Sequence, residues 1–192
     1  MIIRFSIVSL ILLGSSSYSF PQIKYEREYK LDKSEIPILA QSFVDSCQFS
    51  SKVKWYGEES QKGRSIEAKT KDQGEKFSLE FDLEGKIQDA EWEIKEEQIE
   101  TKILTIIKQE LGREFSKYKI QKIQIQWTGS AISLINLIRK RSSNENYIQK
   151  YECVIKGRKA KATAMYELLF GPEGKLEYMA KIQTRNTDNM DY

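Results

Sequence analysis

Two pairs of adjacent carboxylates, Glu58-Glu59 and Glu96-Glu97, and two cysteines, Cys47 and Cys153, are the side chains best placed by type to do chemistry. Paired carboxyls hydrolyse glycosides when they face each other across a cleft roughly 5–10 Å wide. Neighbours on a strand point to opposite sides, so Glu58 and Glu59 do not meet. Glu96-Glu97 precedes a helical stretch, where acids suit the positive end of the helix dipole. Both pairs read as solvated charge. The chain contains no histidine, which excludes Ser-His-Asp and Cys-His catalysis and His-ligated zinc. No alternating Asp/Asn calcium loop and no glycine-rich phosphate cradle occurs. No metal and no cofactor is therefore expected, and the enzymatic route left is carboxylate or lysine chemistry.

The composition fits a folded domain. Of 192 residues, 40% are hydrophobic and 31% charged, and 31 basic residues face 28 acidic ones for a net charge of +3. With the signs interleaved, this gives no field that would argue for nucleic acid or an acidic membrane surface. At the N-terminus, Met1-Ile-Ile-Arg4 is followed by an apolar run from Phe5 to Leu13 and by small residues up to Ser19. That is the layout of a secretory signal peptide, and the run is too short to span a bilayer. The expectation is a leader over 1–19, a periplasmic or secreted product without a stable membrane anchor, and a frayed polar tail over 184–192. In an oxidising compartment Cys47 and Cys153 can form a bridge; the alternative is two buried free thiols.

The elements that must hold these residues repeat. Phe77-Ser-Leu-Glu-Phe-Asp-Leu-Glu-Gly-Lys-Ile87 matches Tyr166-Glu-Leu-Leu-Phe-Gly-Pro-Glu-Gly-Lys-Leu176 at an offset of 89 residues. Leu39, Phe43, Val53, Trp55 and Gly57 match Leu111, Phe115, Ile125, Trp127 and Gly129 at an offset of 72. The difference places an insert at 130–146 in the second copy. Apolar spacing predicts helices over 35–46 and 97–112. Alternation predicts strands at 52–59, 64–71, 75–82 and 86–94, then at 118–128, 147–156, 160–170 and 175–183. The expected architecture is α+β: two tandem helix-plus-antiparallel-meander repeats, about 34–95 and 96–183, with helices packed on one sheet face and the other face wet.

This order, with strands ending in Lys54-Trp55 or Gln126-Trp127 and the Asp82-Leu-Glu-Gly-Lys86 hairpin, resembles the PepSY-like domains of exported bacterial proteins. It also resembles the repeat unit of the β-lactamase inhibitor protein fold. Tyr151-Glu-Cys-Val-Ile155 is a further match. The resemblance covers nearly all of residues 20–183. It implies a non-catalytic domain, an inhibitor or accessory factor for another envelope protein, and it carries over no catalytic residue. The second copy departs from the pattern at Gly171-Pro172 and at the insert.

Four residues are candidate partner-binding positions. Arg139 and Arg141 end the amphipathic insert formed by Ile132, Leu134, Ile135, Leu137 and Ile138, which either docks a partner or covers the fold. Trp92 has no counterpart in the other copy, which carries Lys181, yet it alternates with Ala90 and Ile94 as a core residue would. Tyr56 lies opposite Trp55. The expected function is an exported binding domain acting on another exported protein. The alternatives are a small-ligand-sensing module with an apolar cavity between helix and sheet, and an enzyme of carboxylate or lysine type.

Overall fold

The computed structural model describes residues 22–61, 63–140 and 146–183. The expected leader, the expected tail and Arg141 lie outside those residues. Nine strands are described: β1 (Gln22–Lys30), β2 (Lys54–Ser60), β3 (Gly63–Asp72), β4 (Glu75–Phe81), β5 (Ile87–Ile94), β6 (Lys117–Gly129), β7 (Tyr147–Lys159), β8 (Ala162–Phe170) and β9 (Leu176–Gln183). Consecutive strands pair antiparallel from β1 to β9. A parallel seam, with Gln22 opposite Ala180 and Tyr25 opposite Gln183, then joins β1 to β9 and closes the sheet into a barrel.

This corrects the expected fold class. The chain does not form tandem helix-plus-meander repeats in a layered α+β domain. It forms one continuous barrel, in which α1 (Ile38–Cys47), α2 (Thr101–Glu114) and α3 (Ala131–Ile138) are accessory elements on the wall. The physical reason is β1. The strand precedes the first expected repeat, and its pairing with both β2 and β9 removes the two free edges that separate meanders would leave.

Alternation along the strands sorts the side chains into two faces. One carries Ile66, Ala68, Phe77, Leu79, Phe81, Ala90, Ile123, Ile125, Trp127, Tyr151, Cys153, Ile155, Tyr166, Leu168 and Phe170, all buried in one core with Ala40, Phe43, Val44 and Cys47 of α1, Ile107 and Leu111 of α2, and Leu134 and Ile138 of α3. The other face is charged, and curvature shows that it is the inner one. Strands lie about 4.8 Å apart, so backbone positions on a flat sheet would be about 10 Å apart across one intervening strand and about 14 Å apart across two. Yet Lys24 on β1 reaches Glu167 on β8 across β9, at 2.5 Å. Lys69 on β3 reaches Glu28 on β1 across β2. The carboxyl of Asp89 on β5 is perturbed by Glu58 on β2. The polar face is therefore concave and lines the lumen, while the apolar face is convex and is roofed by the helices.

The sequence repeat survives locally at two turns. Gly85, at φ +86°, packs so closely on α1 that a Cβ there would lie 2.7 Å from the Pro37 side chain and 2.9 Å from the Ala40 nitrogen. Gly174, at φ +79°, sits in the same way on α2, where a Cβ would lie 2.8 Å from the Ile103 carbonyl oxygen. Each turn fastens a hairpin to the helix preceding its strands. Gly85→Ala combines a left-handed backbone with a backbone clash, and should lower unfolding stability by about 2–4 kcal/mol in denaturant melts. Gly112→Ala in α2, with open space around the new methyl, should instead stabilise by up to about 1 kcal/mol.

Candidate functional site

The inner face is built from the polar half of each strand's alternation. At the barrel end that carries the β3–β4 turn, five consecutive strands line a cavity of about 550 Å³. Lys54 and Tyr56 come from β2, Glu67, Lys69 and Lys71 from β3, and Lys76 and Ser78 from β4; Glu91 and Glu93 come from β5, and Lys122 and Gln124 from β6. Lys52, just before β2, stands at its rim. A larger groove of about 730 Å³ runs outside the barrel between α1 and the β1–β2 region, lined by Gln41, Val44, Phe49 and Trp55 among others. It is a gap between a helix and the wall. In the lumen, by contrast, charged groups from several strands converge on one volume.

Within the lumen the charges are partly matched. Glu67 pairs with Lys69 at 2.8 Å, and Glu93 with Lys76 at 2.7 Å. Burial alone would lower the Lys69 ammonium, but Glu67 and Glu28 reverse this and hold it above its ordinary value. The Gln124 amide nitrogen donates to Glu91 Oε2 at 2.7 Å. Its carbonyl oxygen, on a side chain only 5% exposed, is buried without a donor.

Three inner-face acids are held above the ordinary carboxylate range, first by burial and then by neighbouring acids. Enclosure by the barrel wall pushes the Asp89 carboxyl up to about 8, with Glu80, Glu152, Glu67 and Glu58 adding to the effect. Burial likewise raises Glu91 to about 8, with Asp89, Glu67 and Glu167 adding and Lys122 opposing. Glu152 is held well above the carboxylate range by burial and then by Glu91 and Glu167, against Lys24 and Lys122. Their surface faces the lumen rather than bulk water, which is why half-exposed side chains behave as desolvated ones. A neutral Glu91 can accept from Gln124 on one oxygen and donate a proton from the other.

The residues singled out from sequence fall in several places. Tyr56 is half-buried on the inner face, with Lys69 Nζ 5.2 Å from its ring centre, and it belongs to the cavity. Trp92 stands on the outer face, stacked between Phe77 and Trp127 at centroid distances of 6.5 and 6.0 Å. Its indole nitrogen is buried without an acceptor, and Lys140 Nζ lies 5.8 Å from its ring. Arg139 follows α3 and donates to Gln48 Oε1 just beyond α1. Helix α3 packs on α1, β5 and β6. Cys47 and Cys153 are both buried free thiols, raised to about 12 chiefly by burial, so no bridge joins them. Neither carboxylate pair forms a facing dyad. Sequence reasoning missed Glu91, Asp89, Glu152, Lys122 and Gln124, whose signal was the polar positions of otherwise apolar strands. Among the described residues, no cluster of His, Cys, Asp and Glu could hold a metal ion, and no helix is long and apolar enough to cross a membrane.

No family model matches the chain, and no curated protein does. A solved structure of a DUF2874 family protein from Bacteroides ovatus is similar at 11% identity and a TM-score of 0.45, over 76% of this chain and 87% of that one.

The raised acids make stability depend on pH. Each folded-state pKa exceeds its unfolded value near 4, so the folded state binds more protons and is favoured at low pH. That advantage fades as pH rises from about 5 through about 8. The melting temperature should therefore fall across that window, and Glu152→Gln should reduce the fall by at least about 3 °C. A melting temperature that rises from pH 5 to 8 in both proteins would show the acids to be solvated.

Proposed function

We propose that the chain is an exported, non-catalytic binding protein whose ligand is a small polar molecule held in the mouth of the barrel. The observation that supports this is the convergence of five strands' polar side chains on one cavity of about 550 Å³, within the size range of small-molecule sites. A solvated charged surface would leave these groups spread out. Here curvature gathers them and strips away water, which strengthens every polar contact a ligand makes. Most of the side chains that line the lumen are charged or polar, which favours a polar ligand there.

A second reading, an accessory or inhibitory role toward another exported protein, is favoured by Ile38 and Leu39 on α1 and Ile132 on α3. These are 81%, 57% and 61% exposed, on two helices in contact. In a closed barrel the charged sheet face turns inward, which leaves such outer surfaces and the hairpin turns for a partner.

The test is extraction of small molecules from protein purified under native conditions, with mass spectrometry of the extract. The reading expects one polar compound recovered chemically unchanged at near-stoichiometric yield from the native protein. It expects at least a tenfold lower yield from Gln124→Leu with an unaltered circular dichroism spectrum. An empty extract from both would contradict it.

A further inference from the structure

The cavity's charges do not cancel, and the imbalance identifies the chemistry of the occupant; this step rests on the small-ligand reading above. Two carboxylates at the mouth are occupied, Glu67 by Lys69 and Glu93 by Lys76. Among the described residues, Lys52, Lys54, Lys71 and Lys122 line the same cavity and form no ion pair. Lys122 is half-buried on β6 and close enough to Glu91 and Glu152 to oppose the rise in both carboxyls. It stands inside the barrel beside two carboxyls whose charged form burial disfavours. An anion entering this cavity would meet several lysines that no carboxylate holds.

The second observation is the Gln124 carbonyl. A buried acceptor without a donor costs about 1–3 kcal/mol, and this one belongs to a side chain that lines the cavity. Its amide nitrogen donates to Glu91. An incoming O–H or N–H would complete it. Ser78 on the adjoining wall is turned to Glu67, so Gln124 and Glu91 are the groups that address the neutral part of a ligand.

We infer that the barrel mouth binds a hydroxylated small acid, a molecule carrying one carboxylate or phosphate for Lys122, Lys54 and Lys71 and at least one hydroxyl for Gln124. The carboxylate and phosphate forms share this chemistry, and the probes separate them.

The experiment is calorimetric titration of the protein at pH 7 and low salt with glucuronate, glucose 6-phosphate, glucose and inorganic phosphate. At least one of the first two should bind tenfold or more tightly than both glucose and phosphate. Its affinity should fall at least tenfold in Lys122→Gln and in Gln124→Leu, each with an unchanged melting profile. Which of the two acids binds names the anion. Glucose binding as tightly as either acid would overturn the cationic assignment while leaving a small-ligand barrel. Phosphate binding as tightly as either would overturn the role given to Gln124. Heat from none of the four would overturn the inference, and the small-ligand reading would then stand or fall on the extracted compound alone.

Discussion

The parallel seam between β1 and β9 is the constraint from which the rest follows. A twisted sheet of nine strands with one apolar and one charged face would, if open, leave its charged face in water and its edges unpaired. Pairing Gln22 through Tyr25 with Ala180 through Gln183 closes it. Closure fixes which face is concave. The apolar face becomes the outer wall and must be roofed, which α1, α2 and α3 do through Phe43, Ile107, Leu111 and Leu134. The charged face becomes a lumen, where acids that would ionise freely in water crowd together and retain protons. Lys24, from the seam strand itself, pairs with Glu167 across the closure, so the seam is tied by charge as well as by backbone.

This is an inversion of the usual small barrel, whose interior is filled by apolar side chains. The stability of such a design rests on the outer shell. Helix and sheet meet there over Phe43 against Phe81, 5.6 Å between centroids, and Phe115 against Tyr166, 4.9 Å. The lumen is correspondingly free to keep polar groups that a packed core would exclude. That freedom is what a polar ligand site requires.

Much of the fold was legible because alternation is a local signal. The strands from Lys54 to Gln183 were read within a few residues, and the Gly85 and Gly174 turns were found from their shared Glu-Gly-Lys. The second helix was also located, and the insert's helix was anticipated from its three- and four-residue apolar spacing. The first strand was not read, although Ile23, Tyr25 and Tyr29 alternate with charged residues as a strand would. That omission cost the topology, since β1 alone converts a meander into a barrel. The site was lost for the same reason. Glu67, Glu91, Lys122 and Gln124 occupy the polar positions of amphipathic strands, and in an open sheet those positions are solvent-facing. Only the curvature of the closed sheet, a long-range property, turns them inward. Tyr56 was picked out as the residue opposite Trp55, and it does reach the cavity.

The central claim is that the charged face is an enclosed lumen. It is tested most directly by carbon NMR of the side-chain carboxyls in uniformly labelled protein, titrated from pH 3 to 10, with Glu91 assigned by comparison with Glu91→Gln. An enclosed lumen predicts that the Glu91 carboxyl titrates near pH 8, well apart from the bulk of the surface acids. A midpoint for Glu91 between about 4 and 5, as in a free peptide, would mean that water reaches this face and that the barrel is open.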